Sequence, residues 1–306
     1  MADNSSDGGE VVLNQNNNRI IIVQIVILIF LSTDLLLIVT FFKKECFHTT
    51  ARYILFAVTL LSDSTFLLLS DILLLMIYCQ FTVQVWLCII ICTVAFLNVI
   101  VTPVTLTAMT LERYVAICMP LRHAELCSTR RTLYSIHIIH GISSVPCIII
   151  LSTFFTSASR SMYRQYMICS AEIFVLKEWQ SHVRSALQQF YFLIMCIIII
   201  FCYVQIMKVA KAASGENKQS SSKGLKTVVL HAIQLLLCVI GLWCPFIEAA
   251  VLQVSVRLFS DVRYFNYIMF TLGPKCLSPL IYGLRDETFF HALKNNVLFG
   301  LSKRDI

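Results

Sequence analysis

Seven runs of mostly apolar residues, at 20–42, 53–78, 86–117, 133–156, 187–210, 225–252 and 262–284, constrain this chain more than any other feature. A hydrocarbon core about 30 Å thick is crossed by roughly 20 residues of α-helix, and each run meets that length. Inside a bilayer no water is present to satisfy backbone N–H and C=O groups, so only helices and closed barrels can span it. Barrel strands would be shorter and alternate in polarity, which these runs do not. The fold class predicted is an all-α membrane protein, a seven-helix bundle whose long third run is tilted. Composition agrees: 58% of residues are hydrophobic and only 13% charged, about half the charge of a soluble domain. A water-soluble enzyme, a disordered chain and a disulfide-stapled secreted module are thereby excluded.

Lys and Arg set the orientation, because they collect on the cytoplasmic side of membrane proteins. Sixteen fall on the side that includes Lys43, Arg113, Arg130, Lys211, Lys226 and Lys294; seven fall on the other, and Lys275 lies within the seventh run. The N-terminus is therefore expected outside and the chain in the plasma membrane. The domain reading is an extracellular tail at 1–19, a seven-span domain at 20–284, and an amphipathic helix with a short cytoplasmic tail at 285–306. The tail opens on MADNSSDGGE, with no basic stretch and no small-residue cleavage site, so the first span is expected to be its own anchor. Asn4-Ser5-Ser6 is a glycosylation sequon there, which makes Asn4 a candidate acceptor. The net charge of +7 is scattered in short clusters between spans, so its counterpart is the lipid bilayer surface and not nucleic acid.

Between spans the inner loop from Lys208 to Lys226 is small and polar, rich in Ser, Gly, Asn and Gln. After the seventh span, Asp286 and Glu287 precede a segment in which Phe289, Phe290, Leu293, Val297 and Leu298 share one face. Acids suit a helix N-terminus, and the segment reads as a helix lying on the inner leaflet. Most of the 13 cysteines read as small apolar packing residues. Cys88, at the outer end of the third span, and Cys169, in the long loop after the fourth, both face an oxidising compartment and can bridge. Closing a loop of about 80 residues is worth roughly 4–5 kcal/mol in the chain-entropy account. Cys46, Cys118 and Cys127 face inward and stay reduced. No Cys/His set has metal-ligand spacing, and neither metal nor cofactor is expected.

The foot of the third span reads Met109-Thr110-Leu111-Glu112-Arg113-Tyr114-Val115-Ala116-Ile117-Cys118-Met119-Pro120-Leu121-Arg122, and the seventh span ends Ser278-Pro279-Leu280-Ile281-Tyr282-Gly283-Leu284-Arg285-Asp286. Lys223, Thr227 and His231 open the sixth. Together these resemble the odorant receptors among the rhodopsin-like G-protein-coupled receptors, across the whole membrane region. Leu242-Trp243-Cys244-Pro245 is similar to a Trp-x-Pro motif that most land-vertebrate odorant receptors lack, which favours the fish type. Departures from the pattern are Asp34 and Ser278 where the family has Asn, no Trp in the fourth span, and Met195 in place of a proline in the fifth.

The resemblance implies three groups of functional residues. Phe96, Val99, Tyr191, Trp243, Phe246, Ile247, Glu248, Tyr264 and Thr271 would wall an outer-half cavity for a small-molecule odorant or similar ligand. Glu112, Arg113 and Tyr114, with Tyr203 and Tyr282, would form the switch that opens a cleft for a heterotrimeric G protein, stimulatory and raising cyclic AMP. A polar core would gather Asp34, Asp63, Asn98, Thr102, Lys275 and Ser278, where the family holds a sodium ion. In this chain the Lys275 ammonium stands to take the ion's place, pairing with Asp63 and Asp34, or else to form a plain packing salt bridge. A receptor kinase and arrestin are the further partners implied.

Asp71 and Glu248 lie toward the outside, where each either faces the cavity and receives a cation or sits as a solvated rim charge. The position that carries aspartate in the amine receptors is Ala95 here. Other classes fit less well. A retinal-binding opsin needs lysine at position 272, which is leucine. A transporter typically shows internal duplication or broken helices, and a membrane enzyme a nucleophile–base set or metal ligands, none of which is evident. A non-olfactory rhodopsin-like receptor is the nearest alternative.

Overall fold

A computed structural model describes residues 4–212, 216–283 and 287–302. The first span belongs to α1 (Asn4–Lys43), followed by a one-turn α2 (Glu45–His48) and the second span α3 (Ala51–Tyr78). Strand β1 (Thr82–Gln84) leads into the third span, α4 (Val85–Cys118), and a short α5 (Pro120–Leu126) runs to the fourth, α6 (Thr129–Ser157). Strand β2 (Tyr166–Ile168) lies in the loop before the fifth and sixth spans, α7 (Glu178–Ala212) and α8 (Glu216–Leu252). The seventh is helical from Val256 to Gly283 but in three pieces: α9 (Val256–Asn266), a π-helical stretch (Tyr267–Leu272) and α10 (Gly273–Gly283). The last helix is α11 (Glu287–Ser302).

Six helices among the described residues are both long and apolar enough to cross a membrane. The seventh has the length only as a composite, because its outer part carries Arg257, Asp261 and Arg263 and its middle changes helical pitch. Several helices outrun the predicted spans, and α1 extends back to Asn4. Hydropathy marks the stretch that must meet lipid, whereas backbone hydrogen bonding continues as long as the next residues accept helical dihedrals. Some hydroxyls inside the spans bond within their own helix: Thr40, Thr105, Thr107 and Thr110 each donate to the carbonyl four residues back. Around the outside, Leu28, Phe190, Leu193 and Ile200 are exposed, the outward face expected where the solvent is hydrocarbon.

Two apolar clusters fasten the ends of the bundle. At the inner end Phe47, Phe56 and Phe289 pack together, with ring centroids of Phe47 and Phe289 5.0 Å apart. Phe289 and Ala292 are almost wholly buried there, so α11 packs its apolar face on the protein. Phe290, predicted for the same face, is 39% exposed on another side; at one residue from Phe289 it is turned by about 100°. Val297 and Leu298 lie outside the described side chains.

At the outer end the Cys88–Cys169 disulfide, with Cα atoms 5.4 Å apart, sits among Val83, Val85, Ile150, Phe154 and Phe174. Strands β1 and β2, absent from the all-helical expectation, pair antiparallel with Val83 opposite Met167. Bridge and ladder together hold the long loop against the head of α4. Gln180 adds a third tie: its Oε1 accepts from the N–H groups of Leu176 and Lys177, and its Nε2 donates to Thr153 O at 2.8 Å. The start of α7 is thereby fixed to the end of α6.

Candidate functional site: an outer cavity above a dry polar core

A cavity of about 1000 Å³ opens in the outer half of the bundle. Its walls come from α1, α3, α4, α8, the seventh helix and the long outer loop, with Ala171 and Phe174 of that loop among them. Five of the nine residues predicted for such a wall are on it: Phe96, Val99, Glu248, Tyr264 and Thr271. The other four are not. Tyr191 donates its hydroxyl to Ile142 O at 2.9 Å, which turns it toward α6.

Trp243, Phe246 and Ile247 are 42–51% exposed on α8. The cavity stripe on that helix is Gly241, Cys244, Pro245 and Glu248, spaced three and four residues apart; positions 243, 246 and 247 therefore fall on the opposite side. Family position identified the right helix, and the helical period decides which of its residues face inward.

Close approach shapes the wall. A Cβ on Gly241 would lie 3.1 Å from the carbonyl oxygen of Phe270, so glycine is what lets α8 sit against the π-helical stretch. That stretch carries Tyr267 and Thr271 into the lining, and a widened turn at a binding wall is a recurring use of π geometry. Glu248 Oε1 accepts from Asn266 Nδ2 at 3.0 Å. At the mouth Arg19 pairs with Asp261 and lies over the Tyr264 ring. Asp71, offered above as a rim or cavity acid, accepts from Gln24 Nε2 at 2.5 Å and does not line the cavity. Sequence reasoning passed over Asn17, Gln24 and Asn266, whose polar side chains carry no motif.

Below the cavity lies the polar core. Lys275 Nζ is 2.9 Å from Asp63 Oδ1 and 3.2 Å from Thr102 Oγ1, and Thr102 donates to the same Asp63 oxygen at 2.7 Å. Asp63 and Thr102 are buried and Lys275 only 6% exposed; the ammonium also stands 4.4 Å from the centre of the Phe66 ring. A charge in so dry a place is tolerable because it is paired and hydrogen-bonded at once.

Asp34 is the departure from expectation. It is fully buried, yet it makes no ion pair with Lys275: Oδ2 accepts from Ser64 at 3.3 Å and Oδ1 has no hydrogen-bond partner. The ammonium donates to Asp63 on α3 and Thr102 on α4. Asn98 turns its amide oxygen to Ser62, at 2.9 Å. The side chain of Ser278 lies outside the described residues.

At the inner foot, Glu112 lies between Arg113 (Nε to Oε2, 3.6 Å) and His123 on α5 (Nε2 to Oε1, 3.3 Å). His123 was not signalled by sequence, since nothing links an inner-loop histidine to a glutamate 11 positions back until α5 folds under α4. Tyr114 packs on Phe201, ring centroids 5.7 Å apart, and Tyr203 is partly exposed at 37%. The side chains of Tyr282 and Asn4 lie outside the described residues.

Comparison with known proteins agrees with this geometry. Residues 33–282 match the 7 transmembrane receptor (rhodopsin family) pattern. Over 257 residues the chain is 42% identical to the zebrafish (Danio rerio) protein named odorant receptor 131-2, covering 84% of this chain and 79% of that one. A more distant similarity, 25% identity over 219 residues, is to galanin receptor 2a of the same species; it covers 66% of this chain and 55% of that one. The match across the spans, the disulfide-tied outer loop and the high identity to the fish protein together place the chain in the rhodopsin family of seven-transmembrane G-protein-coupled receptors, on its fish odorant-receptor branch.

Proposed function

We propose that this receptor is chemosensory: it binds a small molecule in the outer cavity and, from the plasma membrane with its N-terminus outside, activates a stimulatory heterotrimeric G protein that raises cyclic AMP. The observation that carries the reading is the cavity itself, about 1000 Å³, a size suited to a small organic ligand and lined mainly by apolar and aromatic side chains with a few polar groups. Phe96, Val99, Glu248, Tyr264 and Thr271 are its contact residues. The name of the fish relative, odorant receptor, supports the same class of ligand.

Ligand in the cavity touches α4, α8 and the seventh helix at once, and so favours one arrangement of these helices over another. The arrangement is read out at the inner foot, where Arg113 exchanges its contact with Glu112 for contacts in an opened cleft, with Tyr114, Tyr203 and Tyr282 around it. A receptor kinase and arrestin would act on the same opened face. Replacing Arg113 with Ala is expected to abolish ligand-stimulated cyclic AMP at matched surface expression while ligand binding persists; a variant that signals like the parent would falsify the switch.

A further inference from the structure

Asp71, Asp261 and Glu248 lie on the outer parts of the second, seventh and sixth spans, and the first two are accounted for. Asp261 pairs with Arg19, and Asp71 accepts from the Gln24 amide away from the cavity wall. Glu248 is the third, and it is the one acid among the residues lining the cavity. Its Oε1 accepts from Asn266 Nδ2 at 3.0 Å, and no cation stands within ion-pair distance of it among the described residues. Asn266 is only 6% exposed, so packing fixes the amide, which orients the carboxylate without neutralising it.

The wall it shares is largely apolar, with Ala95, Phe96 and Val99 contributed by α4 and Cys244 and Pro245 by α8 itself. An ionised carboxylate is comfortable there while water fills the cavity, and expensive once a ligand displaces that water, unless the ligand brings a counter-charge. Two cations also line the wall: Arg19, which is paired with Asp261, and Arg263, which is exposed and lies 5.7 Å from the centre of the Phe259 ring, where water screens it.

Resting on the reading of the cavity as the ligand site, we infer that the ligand is an amine: a small apolar body carrying a basic nitrogen whose ammonium pairs with Glu248 while the carbon skeleton lies toward Phe96 and Val99. This places the counter-ion on the sixth span, with Asn266 of the seventh as its positioning residue.

The test uses the full-length chain purified in detergent and follows its thermal unfolding midpoint with probes of one skeleton and different heads: hexylamine, hexanol and hexanoic acid, then benzylamine and benzyl alcohol. The amines are expected to raise the midpoint at concentrations lower than the matching alcohols by about tenfold or more, the factor a charge-assisted hydrogen bond supplies. Glu248→Gln should remove that preference and leave the alcohol response in place, and Glu248→Asp should keep part of it. Val99→Trp, which fills the cavity, should remove both responses.

Equal stabilisation by amines and alcohols, unchanged by Glu248→Gln but lost in Val99→Trp, would overturn the amine assignment and leave the cavity standing. Stronger stabilisation by the acid, or none by any amine, would overturn it as well. An amine response that survives Val99→Trp would instead sink the cavity reading on which the assignment rests.

Discussion

Asp63, in the middle of the bundle, is wholly buried and held by Lys275 and Thr102, whereas Glu248, in the outer third, is partly exposed and held by one amide. Both are carboxylates on spanning helices. The difference teaches where the fold must supply a counter-charge and where it can leave one to be supplied. In the dry middle, an unpaired charge costs several kcal/mol, so the fold itself supplies the counter-charge. On a cavity wall, water meets the cost until a ligand arrives, so the acid can be left open.

The largest effect expected from breaking this comparison is at Lys275. Lys275→Ala strands Asp63 in the dry core and should cost about 3–5 kcal/mol of stability, the range for removing one partner of a buried pair. Adding Asp63→Asn should recover part of the loss, because the stranded charge goes with it. Denaturation of the four purified proteins measures this directly. A double variant as unstable as the two singles added together would mean that the two residues do not act as a pair.

Next in size is the outer tie that holds the cavity's loop wall. Cys88→Ser and Cys169→Ser should each cost about 2–4 kcal/mol and reduce surface expression. The double variant should be no worse than either single, since both remove one bond. Additive losses would show that each cysteine has a separate role beyond the bridge.

The smallest expected effect sharpens the comparison from the other side. With a lysine ammonium already beside Asp63, exchanging sodium for potassium at constant ionic strength should leave the unfolding midpoint of the parent unchanged, whereas Lys275→Ala should acquire a sodium dependence. A sodium-selective stabilisation of the parent would show that Asp63 still has room for an ion.

Much of the polar core was legible because ionisable residues inside apolar runs are too costly to be accidental. Asp63, Thr102 and Lys275 are brought together as their family positions implied. Asp34 was legible as a buried acid but not in its partner: Lys275 bonds Asp63 and Thr102, and Asp34 is met by Ser64. The cavity wall was legible only in part: on α8 the helix was identified but not its face, with Glu248 inside and Trp243, Phe246 and Ile247 outside, while α7, expected through Tyr191, takes no part and α1 and α3 were not expected. Aromatic residues are favourable against lipid and against a ligand alike, so residue type did not discriminate. Phe290 shows the same ambiguity beside Phe289.

The amino-acid sequence alone determined that the chain spans a membrane by helices, how many spans there are, which side collects the basic residues and which family its motifs resemble. Each of these follows from local quantities, namely the length of apolar runs, charge between them and short contiguous patterns. Tertiary structure decided the rest: the π-helical stretch of the seventh span, the approach of Gly241 to Phe270, the seat of α11 on Phe47 and Phe56, the contact of His123 with Glu112, and the choice of Asp63 over Asp34. These depend on distances between helices far apart in sequence. Such distances are set by packing, in which a few tenths of an ångström settle which side chain meets which.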